Sequence, residues 1–449
     1  MAKFMGEAKL LARHSLVYGL GGILQQISSV VLLPLYTTHL SPTDYGVREI
    51  VGLVNDILGI LLSVAISSAL FRFYFDYEEE SERTEVLSTA AIALGGIGLA
   101  ALGSLWFANR HFAKILLDDP GLGHYFGIAF ATLWFSSINS LFYNYLQVRR
   151  RSLAYVGFSI ARLVMVVGLN IYFVVQRGLG VFGTLISSLI VVIIIFLFLS
   201  LPILLRIGLR FNRVKLIGML RFGLPMIVSQ LSSTVVHLSD RLFLKGFFSV
   251  ADTGLYSLSY RIGTLPSQFI SQPFNQTWLP RRMEIAREEN SEQIFGRLFT
   301  WFLVLITLAG LLVSVLAGDI LRIMANPRYW GAAGVVPIIV LANIIFTLHY
   351  HFNIGLLLEK KTAWLARINM FNAVLVLLLN WALISRWGAL GAAIATLIGF
   401  CVKSGLTYWR TGATTARTSK WPECSRSSWR PPARSRWCSR SESWSRGYP

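Results

Sequence analysis

The chain has 449 residues, of which 54% are apolar and only 14% charged. A mean hydropathy of +0.59 is far from a water-soluble composition with about 25% charged residues. It excludes a soluble globular enzyme, a disordered regulator and a secreted disulfide scaffold. The net charge of +19 would suit nucleic acid, but the cations sit in short loops between apolar runs and in the tail, so no nucleic-acid partner is expected.

Twelve membrane spans are predicted, each near the ~20 residues a bilayer requires. All are read as helices, because lipid offers no partner to an open backbone. The polar, basic start MAKFMGEAKLLARHS leads into the first span, residues 15–38, with no cleavable signal peptide read before it. Gln26 lies inside this span. The second, 46–71, carries Glu49, Gly52, Asp56, Gly59, Ser63 and Ser67 at spacings of three or four, a single polar helix face. Spans 86–107 and 123–146 follow. The fifth, 153–175, holds Arg162 near its middle, and the sixth is 179–205. A basic cytoplasmic linker, 207–218, ends an N-terminal bundle over 1–206.

The C-terminal bundle, 219–410, opens with span 219–244, where Gln230, Ser233, His237 and Arg241 share a face beside Asp240. The eighth, 250–276, carries Ser257, Arg261, Thr264, Gln268, Gln272 and Asn275, and Pro266 and Pro273 predict a bend. Spans 294–317, 331–357, 364–385 and 388–409 complete the set. Residues 411–449 contain no Leu, Ile, Val, Phe or Met and are expected to be disordered. Their abrupt Arg/Ser/Trp composition reads as out-of-frame translation, after which further helices would be missing. Cys401, Cys424 and Cys438 show no ligand spacing.

No loop is large enough for a folded extramembrane domain. Lys and Arg in the loops number 22 on the side of the N-terminus against 8 opposite, which predicts cytoplasmic termini. An internal repeat supports an even count. YGLGGILQQISSVV (18–31) and FGLPMIVSQLSSTV (222–235) agree at seven of fourteen positions, including Gln26 with Gln230. An offset of 204 residues covers six spans, so both halves enter the membrane in the same direction, as parallel-repeat transporters do. Asp44 and Gly46 recur as Asp252 and Gly254, read as turns between helices.

LPLYTTHLSPTDYG (33–46), HLSDRLFLKGFFSVADTGLYSLSYRIG (237–263), HFNIGLLLEKKT (351–362) and GALGAAIAT (388–396) resemble the polysaccharide (O-antigen-type) flippases of the multidrug/oligosaccharidyl-lipid/polysaccharide exporter superfamily. The resemblance covers about residues 10–410. It implies an all-α polytopic membrane protein in which two six-helix bundles form a V with alternating access. It also implies an undecaprenyl-pyrophosphate-linked oligosaccharide as cargo, a bacterial inner-membrane location and other polysaccharide-assembly proteins as partners.

Charge inside a membrane is expensive and usually functional. Arg261, Arg241 and Arg162 are the candidate pyrophosphate ligands, since guanidinium bonds phosphate oxygens bidentately. Gln268, Gln272, Asn275, Gln230 and Gln26 suit sugar hydroxyls. Asp56, Asp240 and Glu49 are the candidate ion-coupling acids. Structural alternatives stand beside these: Arg261 paired with Asp240 or another acid, Arg162 paired with Asp56, Glu49 paired with Arg48 at the surface, and Asp240 and Arg241 as interface anchors. No cofactor is expected; a proton or sodium gradient is the natural energy source, because no phosphate-binding loop for ATP is present. Three other functions remain open: cation-coupled drug export on the same fold, lipid II flipping, and, ranked lowest, a membrane glycan polymerase or ligase.

Overall fold

The computed structural model describes residues 30–149, 151–272, 274–275, 291–353, 356 and 362–418. These residues form helices joined by short turns. In chain order they are α1 (Val30–His39), α2 (Pro42–Asp76), α3 (Glu80–Phe107), α4 (Asn109–Leu117), α5 (Pro120–Val148), α6 (Ser152–Gln176) and α7 (Gly180–Ile207). Then come α8 (Arg213–Phe247), α9 (Val250–Gly263), α10 (Ser291–Met324), α11 (Pro327–Phe352), α12 (Thr362–Leu379) and α13 (Ser385–Thr418).

Among the described residues nine continuous helices are long and apolar enough to cross a bilayer. The difference from twelve has physical causes. The first expected span is described only over α1. The eighth is polar and broken: α9 ends at Gly263, and a wide π turn, Ser267–Ser271, starts after Pro266, which has no N–H to continue an α-helical ladder. The last two spans run together through Asn380–Ile384. They reverse at Gly388, whose backbone (φ 54, ψ −130) favours glycine. Beyond the reversal, a Cβ on Gly391 would lie 2.2 Å from the Leu383 carbonyl oxygen, so α13 packs directly back on the segment Asn380–Ile384.

Helix starts follow local chemistry. Ser41 caps α2 with a complete capping box through Asp44, and Pro42 follows at the first helical position. Ser249 and Asp252 begin α9 in the same way: the Asp252 amide donates to Ser249 Oγ at 3.1 Å, and that hydroxyl donates to Asp252 Oδ2 at 2.5 Å. Asn212 caps α8 through the amides of Val214 and Lys215. The repeated Asp and Gly are therefore not turns, as expected from sequence, but the first turns of two equivalent helices. The segment between the third and fourth expected spans also contains the amphipathic helix α4, which buries Ala113 and Leu117.

The two halves meet along α2. Near its start α2 lies against α9, and a Cβ on Gly46 would sit 1.9 Å from the Val250 carbonyl oxygen. A Cβ on Gly254 would reach 2.2 Å from the Pro42 carbonyl oxygen, so these backbones touch. Tyr45 is fully buried there, edge-on to Tyr329. Near its other end α2 packs on α8, with Phe73 edge-on to Phe222. One apolar core joins helices of both halves, from Ile50 and Phe130 to Ile262, Leu321 and Tyr329.

Candidate functional site

Between these two contacts of α2 lies a set of polar cavities. The central one, of about 280 Å³, is lined by Arg48, Glu49 and Asp56 from α2 and by Arg241 and Arg261 from α8 and α9. It adjoins a cavity of about 630 Å³ in the C-terminal half, which shares Glu49, Arg241 and Arg261. Gln268, Gln272 and Asn275 line that second space together with His237 and Thr264. The polar faces predicted on the second, seventh and eighth spans thus converge.

The charges are arranged across the halves. Glu49 Oε1 accepts from Arg48 Nη1 at 3.0 Å and from Arg261 Nη2 at 3.4 Å. The second contact joins α2 to α9, so Arg261 pairs with an acid of the opposite half rather than with Asp240. Arg48, read from sequence as a partner for Glu49 at the surface, also lies over the Tyr36 ring at 4.5 Å and faces the cavity. Nothing in its sequence position, two residues into the predicted span, marked it as a cavity residue; only the register of α2 does.

Arg241 is buried and lines both cavities. Its Nη1 donates to the His237 carbonyl at 2.8 Å and to Asp240 Oδ1 at 3.0 Å. Asp240 is buried behind the wall and saturated, since it also accepts from its neighbour's amide and from Tyr256 Oη at 2.7 Å. That geometry makes Asp240 a clamp that fixes the Arg241 guanidinium. Asp56 differs: it is exposed to the central cavity and forms no ion pair among the described residues.

The remaining residues separate from this centre. Arg162 lines a third cavity, formed by α5, α6 and α7, and does not pair with Asp56. Gln230 lies on an exposed face of α8 and lines none of these three cavities. Gln26 lies outside the described residues.

Lys403 was counted in the sequence as a loop cation. It is instead buried in α13, with its ammonium 4.9 Å from the centre of the Phe346 ring, which lines the larger cavity. Its position well inside the GALGAAIAT helix was the available signal.

Comparison with known proteins agrees with this architecture. A Lsg locus protein of Haemophilus influenzae is 22% identical over 337 residues, 71% of this chain and 78% of the relative. The low-salt glycan biosynthesis flippase Agl15 of Haloferax volcanii is 24% identical over 183 residues, 40% of this chain and 39% of the relative. Among solved structures, the lipid II flippase MurJ in an inward closed conformation superposes with a TM-score of 0.72 at 14% identity. That match spans 89% of this chain and 87% of MurJ, and it shows a shared fold. The polysaccharide biosynthesis protein family matches residues 39–325, well over half of the sequence, and the chain belongs to that family.

Proposed function

We propose that this multi-pass membrane protein flips a lipid-pyrophosphate-linked oligosaccharide from the cytoplasmic to the outer leaflet for polysaccharide assembly. The observation that carries the reading is the convergence of Arg48, Arg241 and Arg261 on one cavity between the halves. Three guanidinium groups face Glu49 and Asp56 there, so the lining leans basic. Arg241 and Arg261 would bind the pyrophosphate, with bidentate contacts that a point charge cannot match. The amides of Gln268, Gln272 and Asn275 would bind sugar hydroxyls in the adjoining space. The isoprenoid needs no polar path and would stay in lipid.

Asp56 is the proposed coupling group for a proton or sodium gradient, because it is the acid that faces the cavity without a cation partner among the described residues. With the basic loops in the cytoplasm, the glycine contact of α2 with α9 would close the outer side. Cation-coupled drug export fits less well, since a cationic drug would meet three arginines. Lipid II flipping uses the same chemistry and remains the second reading.

The test is gene deletion with quantification of lipid-pyrophosphate-linked saccharide and surface polysaccharide. Accumulated lipid-linked units with lost surface glycan are expected, and the identity of the accumulated lipid separates lipid II from other repeat units. Normal levels of both would overturn the reading.

A further inference from the structure

The third cavity, about 490 Å³, falls in the size range of small-molecule sites. Its wall carries Ser140, Asn144, Gln147, Ser159 and Arg162, and no Asp or Glu among the described residues. Tyr143 and Tyr155 stand edge to face in it, with ring centroids 5.5 Å apart. It adjoins the central cavity at Ser188, which lines both.

Arg162 is the tenth residue after Ser152, about 15 Å along α6 from its start at 1.5 Å per residue, and so lies near mid-membrane. Arg48, Arg241 and Arg261 are each held by a carboxylate. Arg162, Asn144 and Gln147 form no ion pair or side-chain hydrogen bond among the described residues, and Tyr143 Oη is buried without a partner. An unpaired mid-membrane cation is costly and marks a substrate path. A purely structural arginine would have drawn an acid toward it, as Arg261 has drawn Glu49.

The lining groups define a ligand. Amides and hydroxyls exchange hydrogen bonds with sugar hydroxyls, the tyrosine rings offer apolar faces with polar tips, and a guanidinium grips one carboxylate through two parallel bonds. A pyrophosphate would meet one cation here but three in the central cavity. We propose that this cavity is the subsite for the saccharide end of the cargo, and that Arg162 selects a repeat unit containing an acidic, carboxylate-bearing sugar. The proposal rests on the flippase reading: with the pyrophosphate at Arg241 and Arg261 and the first sugars at Gln268, Gln272 and Asn275, the far end of the saccharide would reach across to Ser188 and this space.

Binding to the purified full chain in lipid nanodiscs, measured by calorimetry, tests it with three probes. These are a lipid-free tetrasaccharide containing glucuronate, neutral maltotetraose, and undecaprenyl pyrophosphate. Arg162→Gln is expected to weaken the acidic tetrasaccharide at least tenfold, maltotetraose less than twofold and undecaprenyl pyrophosphate not at all. Arg162→Lys should recover part of the loss, and Gln147→Ala should weaken both saccharides alike.

Failure of the wild type to bind the acidic tetrasaccharide overturns the proposal, as does equal weakening of the acidic and neutral probes by Arg162→Gln. Weakening of undecaprenyl pyrophosphate as severe as in Arg261→Ala would place Arg162 in the pyrophosphate site instead. Arg162-dependent binding of the acidic probe with no binding of undecaprenyl pyrophosphate would keep the subsite and sink the flippase reading.

Discussion

Both ends of α2 meet the other half of the molecule backbone to backbone, but among the described residues only the first adds an ion pair from α2 to that half. At the start, Gly46 and Gly254 bring two backbones into contact, and Glu49 reaches across to Arg261. At the far end a Cβ on Gly223 would lie 2.2 Å from the Ala65 carbonyl oxygen, Phe73 meets Phe222, and the Arg72 guanidinium sits 4.8 Å over the Phe222 ring. A wide π turn, Ile60–Val64, separates the ends, and such turns recur at functional sites. The charged cavity residues Arg48, Glu49 and Asp56 all lie before that turn. Backbone contact sets the spacing at both ends, and the first end adds charge where the far end adds aromatic packing. The end that carries the site is therefore the end that is held by charge as well as by backbone contact.

The sharpest way to break this comparison is Gly46→Leu. Even a Cβ would lie 1.9 Å from the Val250 carbonyl oxygen, so the helices must part. Overpacking of this kind costs about 1–3 kcal/mol or more. Export should be lost and the melting temperature of the purified protein should fall by several degrees. Gly96→Leu, where nothing lies within 4 Å, should change neither. Equal behaviour of the two variants would refute the backbone-contact account.

Arg261→Ala tests the ionic half of the same contact. It leaves Glu49 with Arg48 alone and removes one proposed pyrophosphate ligand. A hydrogen bond to a charged group contributes ~1.5–3 kcal/mol, or about ten- to a hundredfold in affinity for undecaprenyl pyrophosphate. Surface glycan export should disappear while protein level stays normal. Wild-type export by the variant would remove Arg261 from the site.

Asp56→Asn should act less on stability than Arg261→Ala, because Asp56 holds no ion pair among the described residues. Export should become independent of the proton or sodium gradient in vesicles. Unchanged gradient dependence would discard its coupling role.

Much of this was legible in the sequence because membrane helices write their polar face at a period of 3.6. The stripe from Glu49 to Asp56, and that from Arg261 to Asn275, need only one helix each to be seen. What the pattern cannot supply is the partner on another helix. The bond from Arg261 to Glu49 depends on the packing of α9 against α2. The clamp from Asp240 to Arg241, though adjacent in sequence, shows its structural role only through Tyr256. The repeated Asp and Gly were visible as a repeat, yet their use as touching helix starts follows from tertiary contact alone. Lys403 was misplaced because counting loop cations assumes that span ends are known.

The smallest expected effect lies beside the far contact of α2, where α8 meets α3. Lys215 is buried, and its Nζ lies 2.6 Å from Glu85 Oε2 and 3.8 Å from Glu82 Oε1. Both acids are more exposed than the lysine, so water competes for them, and such pairs typically contribute ~0.2–1 kcal/mol. Lys215→Met keeps most of the apolar stem and removes the charge, together with the ammonium's contact 4.2 Å from the centre of the Tyr77 ring. A double-mutant cycle with Glu85→Gln, read from chemical unfolding of the purified protein, should give a coupling of about 0.5 kcal/mol that shrinks further in high salt. Export should fall less than twofold. A coupling as large as that between Glu49 and Arg261 would mean that the contacts at both ends of α2 are held by charge, and the contrast between a charged end and an aromatic end would fail.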